Sequence, residues 1–121
     1  IEIASHTPWM RAAVDPFEVA IASSAIQTPL LPVLAGISGA RLLDKNSASG
    51  HLSRQLAEPI RWQAVMDSLD EAGVTMALEL GPGAALARML KTRHPHIQCR
   101  SLAEFRSLAG IRKWVEQYAD A

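Results

Sequence analysis

"LELGPGAAL", Leu78 to Leu86, decides what kind of fold this sequence makes. Its first residues close the apolar run "VTMALEL", 74–80, which reads as a strand. Gly81-Pro82-Gly83 is a turn. From Ala84 onward Leu86, Met89 and Leu90 recur at helical spacing, so a helix to about residue 92 follows, with those three facing inward. A strand, a glycine turn and a helix make the unit from which parallel α/β sheets are built. A helix N-terminus behind such a turn can hold an anion. This one lacks the spacing of a dinucleotide fingerprint and the Lys-Ser/Thr of a P-loop. The plainer reading is structural. Gly83, Ala84 and Ala85 let the helix approach the sheet, Leu80 and Leu86 are buried on either side, and at least one glycine has positive φ.

Elements on both sides extend the pattern. Downstream, "HIQCRS" (96–101) reads as a last short strand, and Ser101-Leu102-Ala103-Glu104 has the form of a capping box. The final helix carries Ile111, Trp114, Val115 and Tyr118 on one stripe. Upstream, Pro59 opens a helix to about residue 72, ended by Gly73, with Trp62, Val65, Met66 and Leu69 as its core face. Before it, "TPLLPVLAGISG" (28–39) predicts a buried strand over 31–37. "ARLLDKNSASG" (40–50) reads as a loop, and a helix covers 48–57. Residues 1–4 read as a strand end. Thr7 and Pro8 then start a helix to about residue 25, kinked or broken near Pro16, where Asp15 to Glu18 form another capping box. Phe17, Ala20, Ile21 and Ser24 share a face of it. Strands alternating with helices predict an α/β fold, a parallel sheet flanked by helices.

Composition narrows the function. The 121 residues contain 12 basic and 12 acidic side chains, which leaves no positive field for a phosphate backbone and argues against nucleic-acid binding. No apolar run reaches the ~20 residues of a membrane span. No basic-then-apolar leader is present, and the single cysteine, Cys99, allows no internal disulfide. A cytoplasmic protein fits. The sequence begins at Ile1, within the apparent strand, and is expected to be part of a longer chain.

Few side chains carry candidate chemistry. His6 stands at the end of an apolar stretch and just before a helix, where α/β proteins place working residues; a lone histidine there is also often structural. His94 and His96 flank Pro95. An extended X-Pro segment would direct the two rings apart, with no third ligand near, so no metal site is expected. His51 is expected to be exposed. Asp67, Asp70 and Glu71 read as a solvated helix face. No G-x-S-x-G marks an activated serine.

Four blocks, "ASHTPWM" (4–10), "TPLLPVLAGISG" (28–39), "SRQLAEPIRW" (53–62) and "LELGPGAAL" (78–86), together resemble malonyl-CoA:acyl-carrier-protein transacylases in the part that follows the catalytic histidine. The likeness runs over nearly the whole chain. It implies that residues 1–121 are the C-terminal portion of a single acyltransferase domain, hydrolase-like in its sheet. It implies that His6 is the catalytic base and that the main-chain carbonyl of Gln55 orients its ring. The nucleophilic serine would lie in the N-terminal remainder of the chain. The implied partners are malonyl-CoA and an acyl carrier protein. No cofactor would be bound permanently, and a coenzyme A thioester would serve as substrate. The tail "CRSLAEFRSLAGIRKWVEQYA" (99–119) further resembles the transacylase subunit of malonate decarboxylase, making that pathway the expected setting. The alternatives are an acyltransferase of fatty-acid or polyketide synthesis, and a non-catalytic α/β interaction module.

Overall fold

The computed structural model describes residues 3–119. It divides into two compact units, Ile1–Ser68 and Leu69–Ala121.

The first unit is mostly helical. A 3-10 turn, Pro8–Met10, leads into helix α1, Arg11–Ala22. Pro8 takes the first position as expected, but the Thr7 hydroxyl donates back to the Ala4 carbonyl (2.7 Å) instead of capping the turn. Ile3 and Ala4 form no strand; the rest of that expectation, residues 1–2, falls outside the described residues. Helix α1 is continuous through Pro16 rather than broken there, so the capping box expected at Asp15 is not used. Proline there forfeits one helical hydrogen bond. Packing of α1 on helix α2, Lys45–Gln55, offsets that loss, with Ile21 buried.

The segment expected as a buried parallel strand is a short antiparallel hairpin, β1 (Val33–Leu34) against β2 (Arg41–Leu42). Leu30 and Leu31 stand exposed, while Ala35, Ile37 and Leu42 are buried. Gly39 explains the reversal. It adopts φ +74°, and a Cβ would meet the Ala64 carbonyl oxygen at 2.7 Å, so only glycine closes this turn against helix α3, Trp62–Glu71. The expected loop thus holds β2 and the start of α2. Asp44 caps that helix by accepting the Ser47 N–H at 2.7 Å, and Ser47 Oγ accepts from Asp44 N in return.

The second unit holds the parallel pair. Strands β3 (Met76–Glu79) and β4 (Gln98–Ser101) run side by side, Met76 opposite Gln98 and Glu79 opposite Ser101. Helix α4, Ala85–Arg93, packs on both, and helix α5, Leu108–Ala119, closes the chain. This is a mixed α/β arrangement, a parallel pair flanked by helices. Gly73 ends α3 as expected. At φ +74° it donates to the Asp70 carbonyl while Val74 reaches Leu69, the two bonds of a Schellman cap. In α4 Leu90 is buried and Leu86 half-buried as expected, but Met89 is exposed and Ala87 takes the inward place. The α5 stripe is as expected: Trp114 is buried and stacks obliquely between Phe105 and Tyr118. The Ser101–Glu104 box is present, although it caps a 3-10 turn ahead of α5 rather than α5 itself. Among the described residues no helix is long and apolar enough to cross a membrane.

Candidate active site

The C-terminal end of α2 builds the site. The last four carbonyls of any α-helix lack intrahelical partners. Here Leu56 N–H returns to Ser53 and Ala57 N–H to Arg54. That leaves the carbonyls of Gln55 and Leu56, and both are taken by one residue. His6 donates its backbone N–H to Leu56 at 3.0 Å, and its ring Nδ1 stands 2.7 Å from the Gln55 oxygen. A carbonyl can only accept. Nδ1 therefore carries the proton, and Nε2 keeps the lone pair.

His6 has φ +63°, and among the described residues it is the one non-glycine with positive φ. Left-handed backbone costs an L-residue about 1–2 kcal/mol. The paired bonds to Gln55 and Leu56 hold it there, and such strain concentrates where a side chain must be aimed. The ring faces a cavity of about 300 Å³ lined by Leu34, Gly36, Gln55, Ile60, Trp62 and Val65. That volume is at the small end for ligand sites. Trp62, expected in the core, is instead 38% exposed at this cavity. Gly36 was not singled out by its sequence. A Cβ on it would stand 2.8 Å from Gln55 Oε1 and 3.2 Å from Ile60 Cδ1, so its bareness gives the Gln55 side chain its place. The Leu56 carbonyl had no sequence signal at all, since any residue supplies one.

The other candidates sort differently. The β3–α4 turn does not hold an open anion site. Glu79, at the end of β3, accepts the Ala87 N–H at 2.8 Å and the Leu86 N–H at 3.4 Å, so the helix amides are already bound to a carboxylate of the same chain. Gly81 and Gly83 have φ +130° and +79°, as the structural reading requires. The close packing expected there is absent: a Cβ at either glycine would meet nothing within 4 Å, and Leu80 is 75% exposed. These glycines serve backbone conformation, and the Ser101 hydroxyl fastens the turn by donating to the Gly83 carbonyl. His51 is half-buried, with Nδ1 donating to the Ser47 carbonyl one turn back at 2.7 Å. Cys99 is buried in β4, and burial pushes its thiol above the usual range, the reverse of what a nucleophile needs.

His94 and His96 do not point apart. Pro95 occupies the second position of a β-turn closed by Ile97 N–H to the His94 carbonyl, 3.0 Å. The turn brings both rings to Asp70, which is therefore not a merely solvated helix residue. Asp70 Oδ1 stands 2.6 Å from His96 Nε2, and Oδ2 3.5 Å from His94 Nδ1.

Known proteins resemble this chain in sequence and in fold. No protein-family model matches the chain. Over 115 residues it is 24% identical to the malonyl CoA-acyl carrier protein transacylase of Haemophilus influenzae, covering 95% of this chain and 37% of that protein. The crystal structure of malonyl-CoA:acyl carrier protein transacylase from Xanthomonas oryzae pv. oryzae superposes with a TM-score of 0.84 at 26% identity, covering 97% of this chain and 36% of that one. The chain is homologous to part of the malonyl-CoA:acyl-carrier-protein transacylases. It spans little more than a third of the length of the transacylases it matches. It is also 35% identical over 107 residues to ThaF, a polyketide biosynthesis protein of Burkholderia thailandensis, covering 88% of this chain and 9% of that protein. The transacylase likeness includes both units, from the His6 turn through the parallel pair.

Proposed function

We propose that this chain carries the histidine half of a malonyl transferase that moves malonyl from coenzyme A to the thiol of an acyl carrier protein. The observation that carries the proposal is the 2.7 Å bond from His6 Nδ1–H to the Gln55 carbonyl. It leaves Nε2 basic, aimed by two helix-end carbonyls, and bordering a cavity. A general base needs these features.

The nucleophile is a serine hydroxyl from sequence outside these residues. Nε2 takes its proton as the serine oxygen adds to the thioester carbonyl. The intermediate then collapses, and coenzyme A leaves as its thiol with the proton from Nε2. The cycle repeats in the other direction. Nε2 deprotonates the carrier thiol, the sulfur attacks the malonyl-serine ester, and the serine oxygen recovers the proton. Gln55 keeps the ring in one tautomer throughout, and its carbonyl stabilises the imidazolium that forms twice per turnover. No permanently bound cofactor has a role in these steps.

The matched relatives are named for acyl-carrier-protein and polyketide chemistry, which favours a fatty-acid or polyketide carrier over the malonate decarboxylase carrier that the tail sequence first indicated. The test uses the intact protein containing this chain. Malonyl-CoA is expected to label it covalently, and the label is expected to pass to a phosphopantetheine-bearing carrier of fatty-acid or polyketide synthesis. No covalent label would overturn the transferase reading. Preferential charging of a decarboxylase carrier would overturn the choice of pathway.

A further inference from the structure

We propose that Asp70, His94 and His96 form a Zn²⁺ site, separate from the His6 site and independent of its function. Their ligand atoms all lie within 4.8 Å of one another. Three features of the second unit place them. The Schellman cap at Gly73 fixes the end of α3 and with it Asp70. His94 is the first residue beyond α4, tied by its N–H to the Leu90 carbonyl at 2.8 Å. The Pro95 turn then folds His96 back alongside, so that the two rings meet edge to face with centroids 5.9 Å apart.

The donor set selects the metal. Two imidazole nitrogens and one carboxylate suit Zn²⁺, whereas Mg²⁺ and Ca²⁺ prefer oxygen throughout. Three protein ligands leave a fourth position for water. Tetrahedral ligands with bonds of ~2.0–2.1 Å stand about 3.3 Å apart. His94 Nδ1 and Asp70 Oδ2 are already near that spacing at 3.5 Å. His96 Nε2 now stands 2.6 Å from the other carboxylate oxygen, Oδ1, and must give up that hydrogen bond to turn its lone pair to a metal held by Oδ2. The His96 side chain is 61% exposed and has room to do so, while that of His94, at 14%, is held. The carboxylate already counters the charge that a cation would bring. A metal here would act as a clip between the end of α3 and the α4–β4 turn.

The alternative is an ion pair with no affinity for metal. Isothermal titration of ZnSO4 into the chelator-stripped intact protein separates the two. The expected result is that His96→Gln takes up one Zn²⁺ fewer per chain than the wild type, or binds it at least about 100-fold more weakly, since even a residue behind a ligand is worth about 10–100-fold. Co²⁺ should give the visible absorption of a tetrahedral site in the wild type and lose it in His96→Gln. Asp70→Asn should also weaken binding, and His51→Ala should not. Equal Zn²⁺ uptake by wild type and His96→Gln would overturn the proposal. So would loss of uptake in His51→Ala to the same degree, which would mark general surface histidine binding.

Discussion

The end of α2 and the start of α4 pose the same physical problem and solve it oppositely. Each is a helix terminus with unsatisfied backbone groups. At α2 the open carbonyls of Gln55 and Leu56 are claimed by His6, a residue distant in sequence whose other ring nitrogen remains available. At α4 the open amides of Leu86 and Ala87 are claimed by Glu79, and its carboxylate is used up in the process. A helix end therefore becomes a candidate site only when the group that satisfies it keeps something to offer. His6 is a bifunctional ring with one nitrogen to spare. Glu79 is a cap.

The sharpest way to break this contrast is to remove both groups in the intact protein and compare readouts. His6→Ala should reduce acyl transfer by roughly 10²–10⁴, the usual range for a general base, with little change in Tm. Normal turnover would end the catalytic reading. A collapse in Tm would make His6 a structural residue of the same kind as Glu79.

The α4 turn should answer in stability instead. Gly83→Val places a β-branched side chain at φ +79° with no clash to relieve, so backbone strain alone sets the cost, about 1–2 kcal/mol. Thermal denaturation should show that loss while the KM for malonyl-CoA stays unchanged. An unchanged Tm with a raised KM would place this turn against the substrate. Glu79→Ala should cost somewhat less, about 1 kcal/mol, as for other lost N-caps. Transfer activity at temperatures where the variant stays folded should match the wild type.

Gln55→Ala sharpens the other side of the contrast. Its carbonyl survives the change, so most activity should remain, whereas a side-chain role would give a loss near that of His6→Ala. The rate of malonyl transfer decides. The side chain does touch the site by filling the space opposite Gly36, so a small rise in KM is the expected residue of its removal.

Signals that depend only on neighbours in the sequence carried through more often than those that depend on what packs against them. The Ser101–Glu104 box, Gly73 and the Trp114 stripe are local patterns with local causes, and each is found in place. The His6–Gln55 contact was named only because "ASHTPWM" and "SRQL" resemble a known family; nothing in composition or spacing joins residues 49 apart. Pro16 does not break α1, because a helix can absorb a proline when a neighbouring helix supplies the packing. Pro95 misled because the same fixed φ that extends a chain also starts a β-turn, and only the Ile97 N–H bond back to His94 distinguishes the two. The hairpin was invisible because its two-residue strands are too short for any periodicity.

The smallest expected effect lies at the capping box after β4, where Glu104 binds a backbone amide ahead of a 3-10 turn as Glu79 does ahead of α4. Its Oε2 accepts the Ser101 N–H at 2.6 Å, and Lys91 Nζ stands 3.8 Å from Oε1. The Ser101 amide foremost, then the charges of Lys91 and Arg100, hold this carboxyl below the usual glutamate value of 4.5. A carboxyl whose folded pKa is depressed binds fewer protons folded than unfolded through that window. Its stabilisation is therefore complete above about pH 4.5 and fades as the pH falls through the lowered folded value. Glu104→Gln removes the charge and keeps the shape. The Tm gap between wild type and variant should be small and constant near neutral pH, because the group is largely open to solvent, and should close below pH 4.5. A gap that persists unchanged at pH 3 would mean that the capping bond acts through geometry alone. Glu104 would then be a cap by shape and hydrogen bonding, independent of its charge.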